Sequence, residues 1–337
     1  MKLRQSLIYL TLSLICLFLI ISCQVLKPDL KTETQPQTLR LGFNNWPGCA
    51  VWQIASEQGI FEKNHLDVNL QFSDYSTGLT ALESGQVEGN CQTLYDTIYI
   101  LGTTAKKVDQ VVVALTDWST GGDQVIVAPG LKNIQQLKGK KVAVETGIVD
   151  HFMFLLALEK YKLKSSDMTI VNQGLIPNIA LFLEEEIDAV VTYIPFVQEA
   201  LNRPGSQTLL TSQEFPGAIS DHLVVTRQFL ETHPQQVQGL VNSWFDTVEF
   251  IRKNPDLSNQ IIASASGLTL QDLKEYGSQI QLKGRSENLT AFQIGETFSS
   301  LPYASQKIYE FLQKNKLIQK SVNIEQILNA EFMRNSR

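Results

Sequence analysis

Positive charge is in short supply in this chain, and reactive side chains are few. Against 34 Asp and Glu there are 28 Lys and Arg, a formal net charge of −6. That balance excludes the basic face a nucleic-acid binder presents, and no zinc-ribbon or basic-arm motif restores one. Only four histidines occur, His65, His151, His222 and His233, dispersed without metal-ligand spacing. There is no Gly-x-Ser-x-Gly elbow, no Gly-x-x-x-x-Gly-Lys phosphate loop and no Cys-x-x-Cys pair. No catalytic residue, resident metal or cofactor is therefore expected. Cysteine is limited to Cys16, Cys23, Cys49 and Cys91.

What is present is a globular composition: 337 residues, 43% hydrophobic and 18% charged, long enough for two lobes of ordinary size. Residues 1–22 read as a targeting segment, with Lys2 and Arg4 ahead of the apolar run from Ser6 to Ile21. Ile20-Ile21-Ser22-Cys23 has a small residue directly before the cysteine and resembles a bacterial lipobox. The expectation is cleavage before Cys23, lipid on that residue, and anchoring at the periplasmic side of the cell membrane. Residues 23–38, rich in Gln, Lys, Thr and Pro, read as a flexible tether. The remaining pair, Cys49 and Cys91, lies in an oxidising compartment on this reading. It is either a disulfide or two buried thiols.

From Leu131 to Phe196 the hydrophobic period switches repeatedly between strand and helix. Val142-Ala143-Val144, Thr169-Ile170-Val171 and Asp188 to Tyr193 read as strands. Helices follow from Asp150, as N-cap, and from Asn178, and Pro195 takes a first helical position. Alternating strands and helices imply an α/β chain with parallel sheets. Val111–Leu115 reads as a buried strand and Thr116–Gly122 as a polar loop. Gln124–Val127 reads as a strand ending at Pro129-Gly130, the first crossing between lobes, with a return through His222–Thr226. Thr269-Leu270-Gln271-Asp272 has the form of a capping box, and Trp244 falls on the apolar stripe of a long helix.

Leu137-Lys138-Gly139-Lys140-Lys141-Val142-Ala143, Thr146-Gly147 before a long helix, Ile187-Asp188-Ala189 and Tyr193-Ile194-Pro195-Phe196 resemble the periplasmic solute-binding proteins of ABC importers. The resemblance is to the group that binds nitrate, sulfonates, taurine and pyrimidine precursors. It implies a two-lobed type II binding-protein fold, each lobe a mainly parallel sheet flanked by helices, joined by two hinge crossings. Lobe 1 would comprise 39–127 with 222–337, and lobe 2 would comprise 128–221. It further implies a monomer that hands a small solute to a permease with an ATPase subunit. By position it carries solute contacts to Asn45, Trp46, Gln92, Thr93, Trp118, Thr146 and Tyr193. A relative of the same fold makes pyrimidine with a pyridoxal-phosphate lysine and a consumed histidine. No lysine falls in the expected cleft here, and His65 reads as surface.

Ligands of open α/β sheets bind beyond the carboxyl ends of the strands. Stretches 44–48, 74–78, 90–96, 116–123, 145–151, 174–178, 193–196 and 214–221 occupy those positions. None contains Lys or Arg, while Asp117, Asp123, Asp150 and Asp221 are among their acids. A cationic nitrogen compound such as guanidinium or an amine, or a neutral urea, suits such a cleft. Carboxylates match planar N–H donors, and Trp46 and Trp118 offer ring faces. An anion would have to rely on helix N-termini and backbone amides.

Overall fold

A computed structural model describes residues 38–103 and 108–336. The signal segment, Cys23 and the tether up to residue 37 lie outside them. Two sheets carry the chain. The larger has strand order β11-β4-β10-β3-β1-β2, and the smaller has β7-β6-β8-β5-β9. In the larger, β1 (Leu39–Phe43), β2 (Val68–Phe72) and β3 (Gly89–Thr93) run parallel. Against β3 lies antiparallel β10 (Ser220–Thr226), followed by β4 (Gln110–Ser119) and β11 (Ile280–Leu282). In the smaller, β6 (Lys141–Ala143), β7 (Thr169–Val171) and β8 (Ala189–Tyr193) are parallel. β5 (Asp123–Val127) lies antiparallel between β8 and β9 (Gln207–Thr211). The mixed α/β class agrees with the sequence reading, but the sheets are mixed rather than mainly parallel: β10, β4 and β11 in the larger and β5 and β9 in the smaller pair antiparallel.

The crossings lie elsewhere than expected. β5 is a full member of the smaller sheet, so the chain changes sheets between Ser119 and Asp123 rather than at Pro129-Gly130. It returns between Thr211 and Ser220, and Asp221 already belongs to β10. Gly121, at φ 136°, takes a conformation side chains disfavour, and it makes the first crossing sharp. The two crossings are tied together. Ser119 Oγ lies 2.7 Å from Ser212 Oγ, and the Gly121 amide donates to Ser212 Oγ at 2.8 Å.

Three local readings are corrected. Thr116 to Ser119 is strand, not loop, because the residues continue the β4 ladder to β10 and β11. Asp150 lies in the first turn of the helix Val149–Lys160, whose N-cap is Ile148. Pro195 is itself the N-cap of the helix Phe196–Leu201. Thr269 and Asp272 do form the capping box.

The helices after β10 pack on the larger sheet. Trp244, on the helix Pro234–Lys253, is fully buried, sits 5.2 Å from Trp52 and donates its indole N–H to the Lys283 carbonyl at 2.8 Å. It is core, as its spacing indicates. Cys49 and Cys91 form a disulfide with Cα atoms 5.7 Å apart, joining the turn after β1 to β3. Closing that loop contributes about 4 kcal/mol on the chain-entropy account. No described helix is long and apolar enough to cross a membrane.

Candidate functional site

The tips of both sheets meet at one place. Asp221 on β10 stands opposite Thr93 on β3 and Asp117 on β4. A bulge at Thr116, unpaired between Leu115 and Asp117, sets that register. In the smaller sheet Asp123, first residue of β5, faces Tyr193, last residue of β8. Between the tips lies a cavity lined by Trp46, Tyr75, Thr93, Ile219 and Asp221 from the larger-sheet side and its return crossing, and by Asp123, Val149 and Tyr193 from the smaller. The space open to the centre of a water molecule is about 20 Å³, little more than one water needs. Only a solute of a few heavy atoms suits it without the walls parting.

Three aromatic rings form a box. Tyr193 lies edge-on to Trp46 at 6.3 Å and to Tyr75 at 6.4 Å. Such boxes attract cations through the negative faces of the rings. Trp46 is fixed by its indole N–H, which donates to Asp117 Oδ1 at 2.9 Å. Tyr75 is fixed by its hydroxyl, which donates to Asp96 Oδ2 at 2.6 Å and accepts from the Thr93 amide at 3.0 Å. Thr93 also caps the helix Leu94–Gly102, and its hydroxyl donates to Asp96 at 2.6 Å.

Five buried carboxyls surround the box: Asp96, Asp117, Asp123, Asp150 and Asp221. Burial pushes Asp96 and Asp117 up to about 7 and Asp123 up to about 6, partly offset by the donors each accepts from. Asp150 and Asp221 are raised further, by burial and then by neighbouring carboxylates, Asp123 first for Asp150 and Asp117 first for Asp221. Both oxygens of Asp150 and Oδ2 of Asp123 are buried without a hydrogen-bond partner. One base approaches, Lys283 at the end of β11. Its ammonium sits 3.7 Å above the Trp118 ring and eases Asp117 towards ionisation.

Among the described residues Cys49, Cys91 and Asp221 have metal-ligand spacing, but the two sulfurs are bonded to each other and offer no thiolate. The carboxyls of Asp123, Asp150 and Asp221 do not converge within that spacing.

Of the residues singled out from sequence, Trp46, Thr93, Asp123, Tyr193 and Asp221 line the cavity. Gln92 does not. Strand alternation turns it to the other face of the sheet, where its amide donates to Thr97 at 3.0 Å and Gln110 at 2.9 Å. Trp118 packs under Lys283, and Thr146 hydrogen-bonds through its backbone to Asn172 at 3.0 Å. Asn45, Asp117 and Asp150 lie outside the lining. Tyr75, Val149 and Ile219 were missed, although the stretches containing all three had been nominated. Lys283 lay in none of them.

Several known proteins are similar to this chain in sequence or share its fold. The model of the family described as "NMT1/THI5 like" matches residues 46–258. The aliphatic sulfonates-binding protein of Escherichia coli is 22% identical over 299 residues, spanning 87% of this chain and 89% of the relative. The crystal structure of the periplasmic aliphatic sulphonate-binding protein from Escherichia coli superposes with a TM-score of 0.71 at 20% identity, covering 87% of this chain and 92% of that one. The periplasmic nitrate-binding protein of Synechocystis PCC 6803 gives 0.70 at 14% identity, covering 89% and 88%. A desulfurization enzyme gives 0.64 at 15% identity, covering 88% and 98%, so the scaffold serves catalysts too. These likenesses establish a periplasmic-binding-protein fold, and the family match over most of the chain establishes membership: this protein belongs to the NMT1/THI5-like family.

Proposed function

We propose that this protein is the solute-binding component of an ABC-type importer and that its solute is a small nitrogen compound, a guanidinium, amine or urea. Its lobes close on the solute and present the closed form to a permease driven by an ATPase subunit. The observation that carries the reading of the solute is the set of five buried carboxyls around an aromatic box, with Asp123 and Asp221 lining the cavity and an acceptor on Asp123 that no protein donor reaches. A cation with several N–H donors supplies what those groups lack, and the rings stabilise it further. Two helix N-termini flank the cavity. Asp96 and Asp150 already occupy their first turns, which weakens their attraction for an anion. Binding rather than turnover is favoured by the relatives, whose names describe binding proteins.

A second reading, capture of a sulfonate or nitrate, is favoured by the names of the relatives. Calorimetric titration with guanidinium, urea, simple amines, aminopyrimidines, nitrate, bicarbonate and taurine separates the two. Asp123→Asn should weaken a cation by at least about tenfold and leave nitrate unchanged or tighter. Tight binding of nitrate or taurine alone sinks the cationic reading. Consumption of any bound compound, or an aldimine absorbance band, sinks the binding-protein reading.

A further inference from the structure

The Trp46 ring is held at both of its edges. Its pyrrole edge is hydrogen-bonded to Asp117 Oδ1 at 2.9 Å. Gly48 lies against that same edge. A side chain there would overlap the Asp117 carboxylate and come within 2.8 Å of Trp46 Nε1. Gly122, in the first crossing, lies against the opposite edge, and a side chain there would overlap Trp46 Cη2 and come within 2.9 Å of Cζ3. Both edges are thus pinned by groups that fit only without a Cβ or with an acceptor in place. The ring still lines the cavity, where the Tyr193 edge meets it.

Asp117 itself is occupied. It accepts from Trp46 and from Thr116 Oγ1 at 3.2 Å, is fully buried and does not line the cavity. Lys283, over the Trp118 ring, acts on Asp117 as a nearby positive charge. We infer that Asp117 is a positioning residue: it holds the Trp46 indole against the Gly122 crossing so that the ring presents a fixed wall to the solute, and it does not meet the solute itself. The inference rests on reading the cavity as the solute site, and it reverses the expectation that Asp117 serves as a carboxylate partner of a cation. A pinned ring loses no rotamer freedom on binding, which is how preorganisation raises affinity. Because Gly122 belongs to the segment that joins the sheets, the wall is in place only when that crossing is set as seen here.

The test uses Asp117→Asn, which keeps an oxygen acceptor and removes the charge, beside Asp117→Leu, which removes both. Guanidinium is the probe, and the near-ultraviolet circular dichroism assigned to Trp46, by difference from Trp46→Phe, reports the ring in the free protein. Asp117→Asn should keep the Trp46 signal and bind within about threefold of the parent. Asp117→Leu should lose the signal and bind about tenfold more weakly. If Asp117→Leu fails to fold, Gly122→Ala pushes the same ring from its other edge without touching the carboxylate, and should lose signal and affinity together. Tenfold weaker binding by Asp117→Asn with the signal intact overturns the inference, as does an unchanged signal in Asp117→Leu or Gly122→Ala. If guanidinium binds none of the proteins, the signal alone decides the positioning role. The missing affinity then counts only against the reading of the solute.

Discussion

The two walls of the cavity are built on opposite principles. The larger-sheet wall is the more nearly finished. A disulfide ties its floor, Asp96 accepts from two hydroxyls at Oδ2 and leaves only Oδ1 unpartnered, and Asp117 accepts from an indole and a hydroxyl. Asp221 is its one carboxyl that no donor offsets. The smaller-sheet wall is unfinished. Asp150 has no partner at either oxygen, and Asp123 lacks one at Oδ2. Buried carboxyls with neutral donors fix neighbouring side chains at modest cost, whereas carboxyls without donors are costly until something arrives to pair with them. The comparison teaches a division of labour, with one wall holding its shape and the other supplying demand for a solute.

The largest effect should follow from unstitching the finished wall. Cys49→Ala with Cys91→Ala should lower unfolding stability by about 4 kcal/mol, measured by denaturant titration, and should weaken solute binding because Asp221 sits over the bridge. A loss under about 1 kcal/mol would show that the wall is held by packing alone. Next come two substitutions expected to differ in sign. Asp96→Leu strands the buried Tyr75 and Thr93 hydroxyls and should cost about 1–3 kcal/mol. Asp150→Leu removes an unpartnered carboxyl outside the cavity lining and should raise stability by about 1–3 kcal/mol. Equal destabilisation by both would erase the distinction between the walls.

Acid should act on the carboxyls of both walls. Their folded values lie above the usual carboxylate range, so the folded state holds protons that the unfolded chain releases. This contribution is full below about pH 4 and is lost as pH rises through about 6 for Asp123 and about 7 for Asp96 and Asp117. Buried His222 and half-buried His151, lowered to about 3 and about 4 by desolvation, act the other way below the ordinary histidine range. Five carboxyls outweigh two imidazoles, so the empty protein should melt higher at pH 5.5 than at pH 8. Cation affinity should rise over the same interval, as protons cease to compete. A flat profile for both quantities would mean that the carboxyls stay solvated.

Much of this was legible in the sequence. Period switching located β5 to β8 and most of β4 and β10, while β9 and β11 went unread. The lack of Lys and Arg in the nominated stretches pointed to Asp123, Asp150 and Asp221 before any geometry was known. The failures have physical causes. Thr116, Asp117 and Ser119 read as loop because they are polar. Their polarity belongs to a strand tip facing a site, and the ladder to β10 and β11 was invisible locally. The crossing was misplaced because Pro129-Gly130 is the stronger breaker, whereas Gly121-Gly122 makes the real turn. Lys283 and the Tyr75–Asp96 bond depend on residues brought together by the fold, which no local pattern encodes.

The smallest effect tests the contact that bridges the walls directly. Ser76, on the helix Tyr75–Glu83, donates to Glu145 Oε1 beyond β6 at 2.5 Å, in a half-buried setting. A hydrogen bond to a partly solvated carboxylate contributes about 1 kcal/mol or less, so Ser76→Ala should weaken solute binding about twofold to fivefold. The change should appear in the dissociation rate by stopped-flow, because the bond exists only when the walls meet, and the melting temperature should shift little. Glu145→Gln keeps an oxygen to accept the same hydroxyl and should fall between Ser76→Ala and the parent. If Glu145→Gln instead costs more than about thirtyfold, Glu145 is a solute ligand, and the unfinished wall extends one residue further than its buried members indicate.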